Sequence, residues 1–260
     1  FAVYSIVTKA VGAIAVEVPA KDWGHDLNAI ASAITDKTTL IYLANPNNPT
    51  GTAFTEAELT AFLAKVPPTV IVVLDEAYGE YIDDTSFPNG LTFLSQYSNL
   101  IVSRTFSKAW GLASLRVGYS ISNKAIADIL NRVRQPFNVN TFALVSATAV
   151  LSDLDYLQKG VEINQRGLAR IEQGLADMDI SYIPSKGNFI AFDVIPCNGT
   201  VKSSYSGMEV FQLLLQEGVI VRPLANYNMA NYLRVSIGLP EENERFLQAL
   251  KKVLEQLRCV

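Results

Sequence analysis

The chain has 260 residues, 49% of them hydrophobic and 18% charged, with a formal net charge of −4. That is enough apolar chain for one full core and a second, smaller one, and an acidic balance without a lysine/arginine run argues against a nucleic-acid or membrane surface and for small-molecule partners. The two cysteines, Cys197 and Cys259, lie far apart and the single histidine is His25, so we expect a reduced, cytoplasmic protein with no metal site and no Ser-His-Asp triad on another histidine.

The opening stretch FAVYSIVTKAVGAIAVEV (1–18) reads as a helix running into a strand. Lys9 interrupts it well short of a membrane span, and it has neither a cationic leader nor a small-residue cleavage site. It begins as if in mid-domain, and we expect a segment upstream of Phe1. His25, in DWGHDLNAI, reads as a surface or loop residue. TTLIYLAN (38–45), TVIVVLDE (69–76) and NLIVSRT (99–105) are short β-branched and aliphatic runs. Stretches with helical periodicity separate them, an alternation that predicts a mostly parallel sheet with helices on its faces. In TEAELTAFLAKV (55–66), Thr55 and Glu58 are spaced for a capping box, and Leu59, Phe62 and Leu63 share a face. LRVGYSIS (115–122) adds a strand.

A bridging helix around 156–178 precedes a change of pattern. NFIAFDV, the helix GMEVFQLLLQEG, VIVRPL and NYLRVSIG then lead to a C-terminal amphipathic helix with Pro240 and glutamates at its start and Phe246, Leu250, Val253 and Leu257 as its stripe. We expect an α/β large domain over 1–152, incomplete at its N-terminus, and a smaller α+β domain over 153–260.

Each of the three strand candidates ends in a polar cluster: NPNNPTG, DEAYGEY and TFSK. Ligands of open α/β sheets bind at the carboxyl ends of the strands, so the clusters are expected to face one crevice. Singly, each has a plain structural reading. NPNNPTG suits a turn, Asp75 a helix cap, Arg116 a surface cation, and Lys108 can lay its stem on apolar surface with its ammonium in water. Together they match the needs of pyridoxal phosphate. That group requires a lysine amine for a Schiff base and a carboxylate to keep the ring nitrogen protonated. It also requires donors for the ring oxygen, and cations with hydroxyls for the phosphate.

NPNNPTG, DEAYGEY and SRTFSKAWGLASLRVGY, in this order and spacing, resemble fold-type-I pyridoxal-phosphate aminotransferases of the class I/II group. GVIVRPLANYNMANYLRVSIGLPEENERF is similar to the histidinol-phosphate aminotransferases within it. The resemblance implies a three-layer large domain and a smaller C-terminal one. It implies that Lys108 holds the cofactor and moves the substrate proton, that Asp75 pairs with the ring nitrogen, and that Asn48 and Tyr78 bond the ring oxygen. Thr105, Ser107 and Arg116 are expected on the phosphate and Phe1 against the ring face, with a core phenylalanine as its alternative. Arg234, which alternates with the apolar Leu233 and Val235, matches the arginine that grips the substrate carboxylate. Arg222 matches one directed at a substrate phosphate, or is an edge-strand surface residue, and Asn188 matches a position near substrate. The implied activity is transamination between histidinol phosphate and the glutamate/2-oxoglutarate pair, in a homodimer. Its rivals are an aromatic amino-acid aminotransferase and a non-catalytic ligand-sensing module of the same fold. The glycine/serine loop that cradles the cofactor phosphate in this family, and an upstream tyrosine reaching into the partner's site, have no counterpart here.

Overall fold

The computed structural model describes residues 1–196 and 205–258; Cys197 and Cys259 lie outside them. The chain divides into two compact units, one of 1–48 and 52–158, the other of 49–51 and 159–260. The division falls inside a helix and not at 152/153, and it assigns Pro49–Gly51, in the middle of NPNNPTG, to the second unit.

In the first unit, helices α1 (Ala2–Ala10) and α2 (Leu27–Ser32) precede strand β1 (Leu40–Ala44). Then come α3 (Glu56–Leu63), β2 (Ile71–Asp75), α4 (Gly90–Phe93), β3 (Leu100–Thr105), β4 (Gly118–Ser122), α5 (Lys124–Val133) and α6 (Thr141–Val150). The sheet order is β1-β2-β3-β4, parallel across the first two pairings and antiparallel at β4. The strand alternation does the sorting. Ile41 and Leu43 of β1, Val72 and Leu74 of β2, and Leu100 and Val102 of β3 enter one cluster with Leu27 of α2, Leu59, Phe62 and Leu63 of α3 and Phe93 of α4. Tyr42, Val73 and Asp75 therefore point to the opposite face, with Tyr42 in register with Val73. Thr55 caps α3 through the expected reciprocal box with Glu58.

The strand expected at the end of 1–18 does not form. Residues 13–18 pair with no strand among the described residues, and Ile14 and Val16 are 89% and 72% exposed. β-branched residues favour a pleated, half-buried surface, and this run has neither a ladder nor a face to bury. His25 lies in a loop as expected, but its ring packs near Phe54, and its Nε2 accepts a hydrogen bond from the Ala44 N–H at 3.3 Å.

Helix α7 (Leu154–Asp177) leads into the second unit, where β5 (Ile180–Ile183), β6 (Phe189–Pro196), α8 (Gly207–Gln216), β7 (Arg222–Leu224), β8 (Met229–Ser236) and α9 (Pro240–Arg258) follow. The sheet is antiparallel throughout, in the order β5-β6-β8-β7. Its core joins Ile190, Phe192 and Val194 of β6 to Leu233 and Val235 of β8 and to the α9 stripe of Phe246, Leu250 and Val253, against which Leu257 packs. No helix among the described residues is long and apolar enough to cross a membrane.

Candidate active site

Strand register assembles the first unit's polar residues. Ala44 pairs with Asp75, and Asp75 with Ser103, so the three parallel strands end side by side. The chain leaving each of them therefore starts from a common edge. The first asparagine of NPNNPTG, Asn45, is fully buried and structural. Its amide donates to the Phe54 carbonyl at 3.2 Å and its oxygen accepts from the Phe54 N–H at 2.9 Å, which pins the loop. Asn48 is the one that reaches the cluster, its Nδ2 donating to the Tyr78 hydroxyl at 3.1 Å.

Asp75 ends β2. Its Oδ1 accepts from the Ala77 N–H at 3.1 Å, and its Oδ2 accepts from the Tyr4 hydroxyl at 2.6 Å. Tyr4 is not among the site residues expected from sequence, and no local pattern could have marked it, because 71 residues separate it from Asp75. Its ring lies parallel to Tyr42 with centroids 4.6 Å apart, and Phe1 meets it edge-on at 5.6 Å. Burial, then the adjacent Asp75 carboxylate, push the Tyr4 phenol far above its usual range.

The Lys108 ammonium stands 5.2 Å from the centre of the Tyr78 ring, within cation–π range. The lysine is carried on a tight turn closed by a hydrogen bond from the Gly111 N–H to the Lys108 carbonyl at 2.9 Å. Gly111 has φ +72°, which favours glycine, and a Cβ there would have to displace the Tyr156 hydroxyl, 2.2 Å away. Behind the turn, Phe106, Trp110 and Val117 are buried with Ala143 and Ala147 of α6. The Trp110 indole N–H donates to Glu80 Oε1 at 3.2 Å, and burial pushes the Glu80 carboxyl up.

Thr105 Oγ1 accepts from the Ser107 N–H at 3.1 Å. Arg116 adopts a left-handed conformation (φ 54°) and donates to the Ala113 carbonyl at 2.7 Å and to Ser107 Oγ at 3.5 Å. A non-glycine residue held there is strained by roughly 1–3 kcal/mol. Phe1, Asn48, Asp75, Tyr78, Thr105, Ser107, Lys108 and Arg116 all belong to the first unit.

Asn188, Arg222 and Arg234 belong to the second. Asn188 precedes β6, its carbonyl accepting from the Ile237 N–H at 2.9 Å. Arg222 and Arg234 are register partners across β7 and β8, which puts both guanidinium groups on one face of the sheet, and Arg234 also lies 4.9 Å over the Phe189 ring.

The first unit is thus an open α/β fold in which Asp75, Tyr78 and Asn48, and the segment carrying Lys108 and Arg116, follow the carboxyl ends of its parallel strands. The chain belongs to the aminotransferase class I and II family, whose profile matches residues 1–250. It is 58% identical over 254 residues to histidinol-phosphate aminotransferase 2 of Pseudomonas fluorescens, covering 98% of this chain and 66% of that protein. It is 54% identical over 255 residues to the Hydrogenovibrio crunogenus protein of the same name, with the same coverage. The chain thus spans about two thirds of the length of the curated relatives it matches (66%). The crystal structure of histidinol-phosphate aminotransferase from Sinorhizobium meliloti in complex with pyridoxal-5′-phosphate superposes with a TM-score of 0.89 at 30% identity, covering 99% of this chain and 69% of that one.

Proposed function

We propose that this chain is part of a pyridoxal-phosphate-dependent histidinol-phosphate aminotransferase, exchanging an amino group between histidinol phosphate and the glutamate/2-oxoglutarate pair in histidine biosynthesis. The observation that carries the reading is the grouping of Asp75, Tyr78, Asn48 and Lys108 by strand register, together with high identity to relatives named for that activity.

The residues present fit pyridoxal phosphate by their chemistry. An anionic carboxylate at the end of β2 suits a protonated ring nitrogen, and the Tyr78 hydroxyl and Asn48 amide suit the ring oxygen. Arg116, Ser107 and Thr105 suit a phosphate, and Phe1 suits a ring face. When bound, the cofactor supplies an electron sink for the charge left when a substrate carbon loses its proton. Lys108 holds the cofactor and, when released, is the amine that takes and returns that proton. Asp75 keeps the ring nitrogen charged, and Tyr78 and Asn48 orient the ring oxygen.

In the second unit, two guanidinium groups on one sheet face suit a substrate phosphate, a dianion, better than one would. Arg234 is assigned the carboxylate-type contact of the amino-acid partners, Arg222 the phosphate, and Asn188 a polar contact beside them. A homodimer and a cytoplasmic setting complete the reading. The nearly full exposure of Phe137 (98%) and the high exposure of Phe142 (81%) on the α5–α6 segment support further association.

Borohydride reduction of the full-length protein with pyridoxal phosphate, followed by peptide mapping, tests the core of this. The adduct is expected on Lys108, and an adduct on Lys9, Lys65 or Lys186 instead would remove the assignment.

A further inference from the structure

We infer that Tyr4 is a positioning residue for the reaction, setting the Asp75 carboxylate and the Phe1 ring together, with Tyr42 holding Tyr4 in place. This deepens the reading above and rests on it, since it takes Asp75 as the partner of the cofactor ring nitrogen.

Rotation of a terminal carboxylate is only weakly restrained by its own torsion. Here each oxygen has a donor, the Ala77 N–H on Oδ1 and the Tyr4 hydroxyl on Oδ2, so the plane of the group is fixed. The 2.6 Å Tyr4 contact has the length of a charge-assisted bond between a hydroxyl and a carboxylate. A phenol pushed far above its usual range by burial and by Asp75 stays a donor across the whole working pH range.

Tyr4 also ties helix α1 to the sheet. The helix has no buried residue, and Val3, Ile6 and Val7 are exposed. The contacts of Tyr4 that tie it to the sheet are the hydrogen bond to Asp75 and the parallel stack on Tyr42, both on the sheet face opposite the apolar cluster. Phe1 caps α1, packs edge-on against the Tyr4 ring, and accepts a hydrogen bond from the Tyr4 N–H at 3.1 Å. Tyr4 therefore relays the position of Asp75 to the aromatic ring assigned to the cofactor face.

The test uses the full-length protein loaded with pyridoxal phosphate, as wild type, Tyr4→Phe, Asp75→Asn and the double variant. Measured are the rate of cofactor loss to a trap, the pH midpoint of the lysine-linked absorbance, and kcat and KM. Tyr4→Phe keeps both ring contacts and removes only the hydroxyl. It is expected to speed cofactor loss by about tenfold or more, in keeping with a hydrogen bond to a charged group. It should also move the absorbance midpoint and lower kcat more than it raises KM. In the Asp75→Asn background the same change should add little, because the two groups act as one unit. A Tyr4→Phe protein with a lower Tm but unchanged cofactor loss and midpoint would overturn the inference, as would full additivity with Asp75→Asn. If Tyr4→Phe does not fold, Tyr42→Leu removes the stack and leaves the hydroxyl. Faster cofactor loss then supports the inference and an unchanged rate overturns it. Wild-type protein without any lysine-linked absorbance would instead sink the functional reading itself, a result recognisable before any variant is made.

Discussion

At the scale of single residues, the pair Arg222 and Arg234, proposed above as the substrate's anion contacts, is where substrate choice is best tested. Like charges directly opposite on adjacent antiparallel strands destabilise a sheet by a few tenths of a kcal/mol to about 1 kcal/mol, and here the two arginines are register partners. In the proposed reading, a bound phosphate dianion would relieve that repulsion. Losing one partner of a desolvated, hydrogen-bonded charge pair costs roughly 2–5 kcal/mol. Arg222→Ala is therefore expected to lower kcat/KM for histidinol phosphate by about thirtyfold or more while leaving glutamate and phenylalanine nearly unchanged. Steady-state kinetics with all three substrates checks this. A uniform fall would mark Arg222 as structural, and a wild-type preference for phenylalanine would favour an aromatic aminotransferase. The same scale separates two asparagines that look alike in NPNNPTG. Asn45 is consumed by the Phe54 backbone and Asn48 is left facing Tyr78.

At the scale of elements, the ends of β2 and β3 are stapled by a carboxylate that the sequence does not mark out. Glu76 is 1% exposed, accepts from Arg104 Nε and Nη2 at 3.0 and 2.7 Å, and accepts from the Gly90 N–H at 2.6 Å at the start of α4. It lies beside Asp75 in DEAYGEY, and nothing in the string distinguishes a carboxylate kept for structure from one kept for chemistry. Breaking a buried pair while leaving its partner behind costs about 3–5 kcal/mol. Glu76→Ala is expected to lower unfolding stability by that order in urea titrations, with Glu76→Gln losing less. Gly90 should be similarly intolerant, since a Cβ there would meet Glu76 Oε1 and Leu74 Cδ2 at 2.7 Å. Gly90→Ala is expected to destabilise by about 1–3 kcal/mol through overpacking. A stability change near zero would show that the loop yields.

At the scale of the molecule, the one histidine couples folding to pH. Burial above all lowers His25 from 6.5 to about 4, and the nitrogen that accepts from Ala44 has no room for a proton. The unfolded chain thus takes up a proton near pH 6.5 that the folded chain refuses until about pH 4. Stability from this group is complete above 6.5, falls as pH drops through that window, and levels off below it, a loss on the order of 2–3 kcal/mol. His25→Gln keeps an acceptor for Ala44 and cannot titrate. Its Tm should decline less than that of wild type between pH 7 and 4, and parallel curves would assign the acid loss to carboxylates.

The sequence by itself determined the alternation of strands and helices, the capping box at Thr55, the α9 stripe and the place of the polar clusters at strand ends. These follow from periodicity and local hydrogen-bonding chemistry, which act over a few residues. Only the tertiary structure decided which polar residues become partners. Tyr4 reaches Asp75, Trp110 reaches Glu80, Arg104 reaches Glu76 and Arg222 faces Arg234 because strand register and helix docking bring distant segments together. It also decided against the strand in AIAVEV, since β-propensity becomes a strand only where a neighbour offers its backbone and a face to bury.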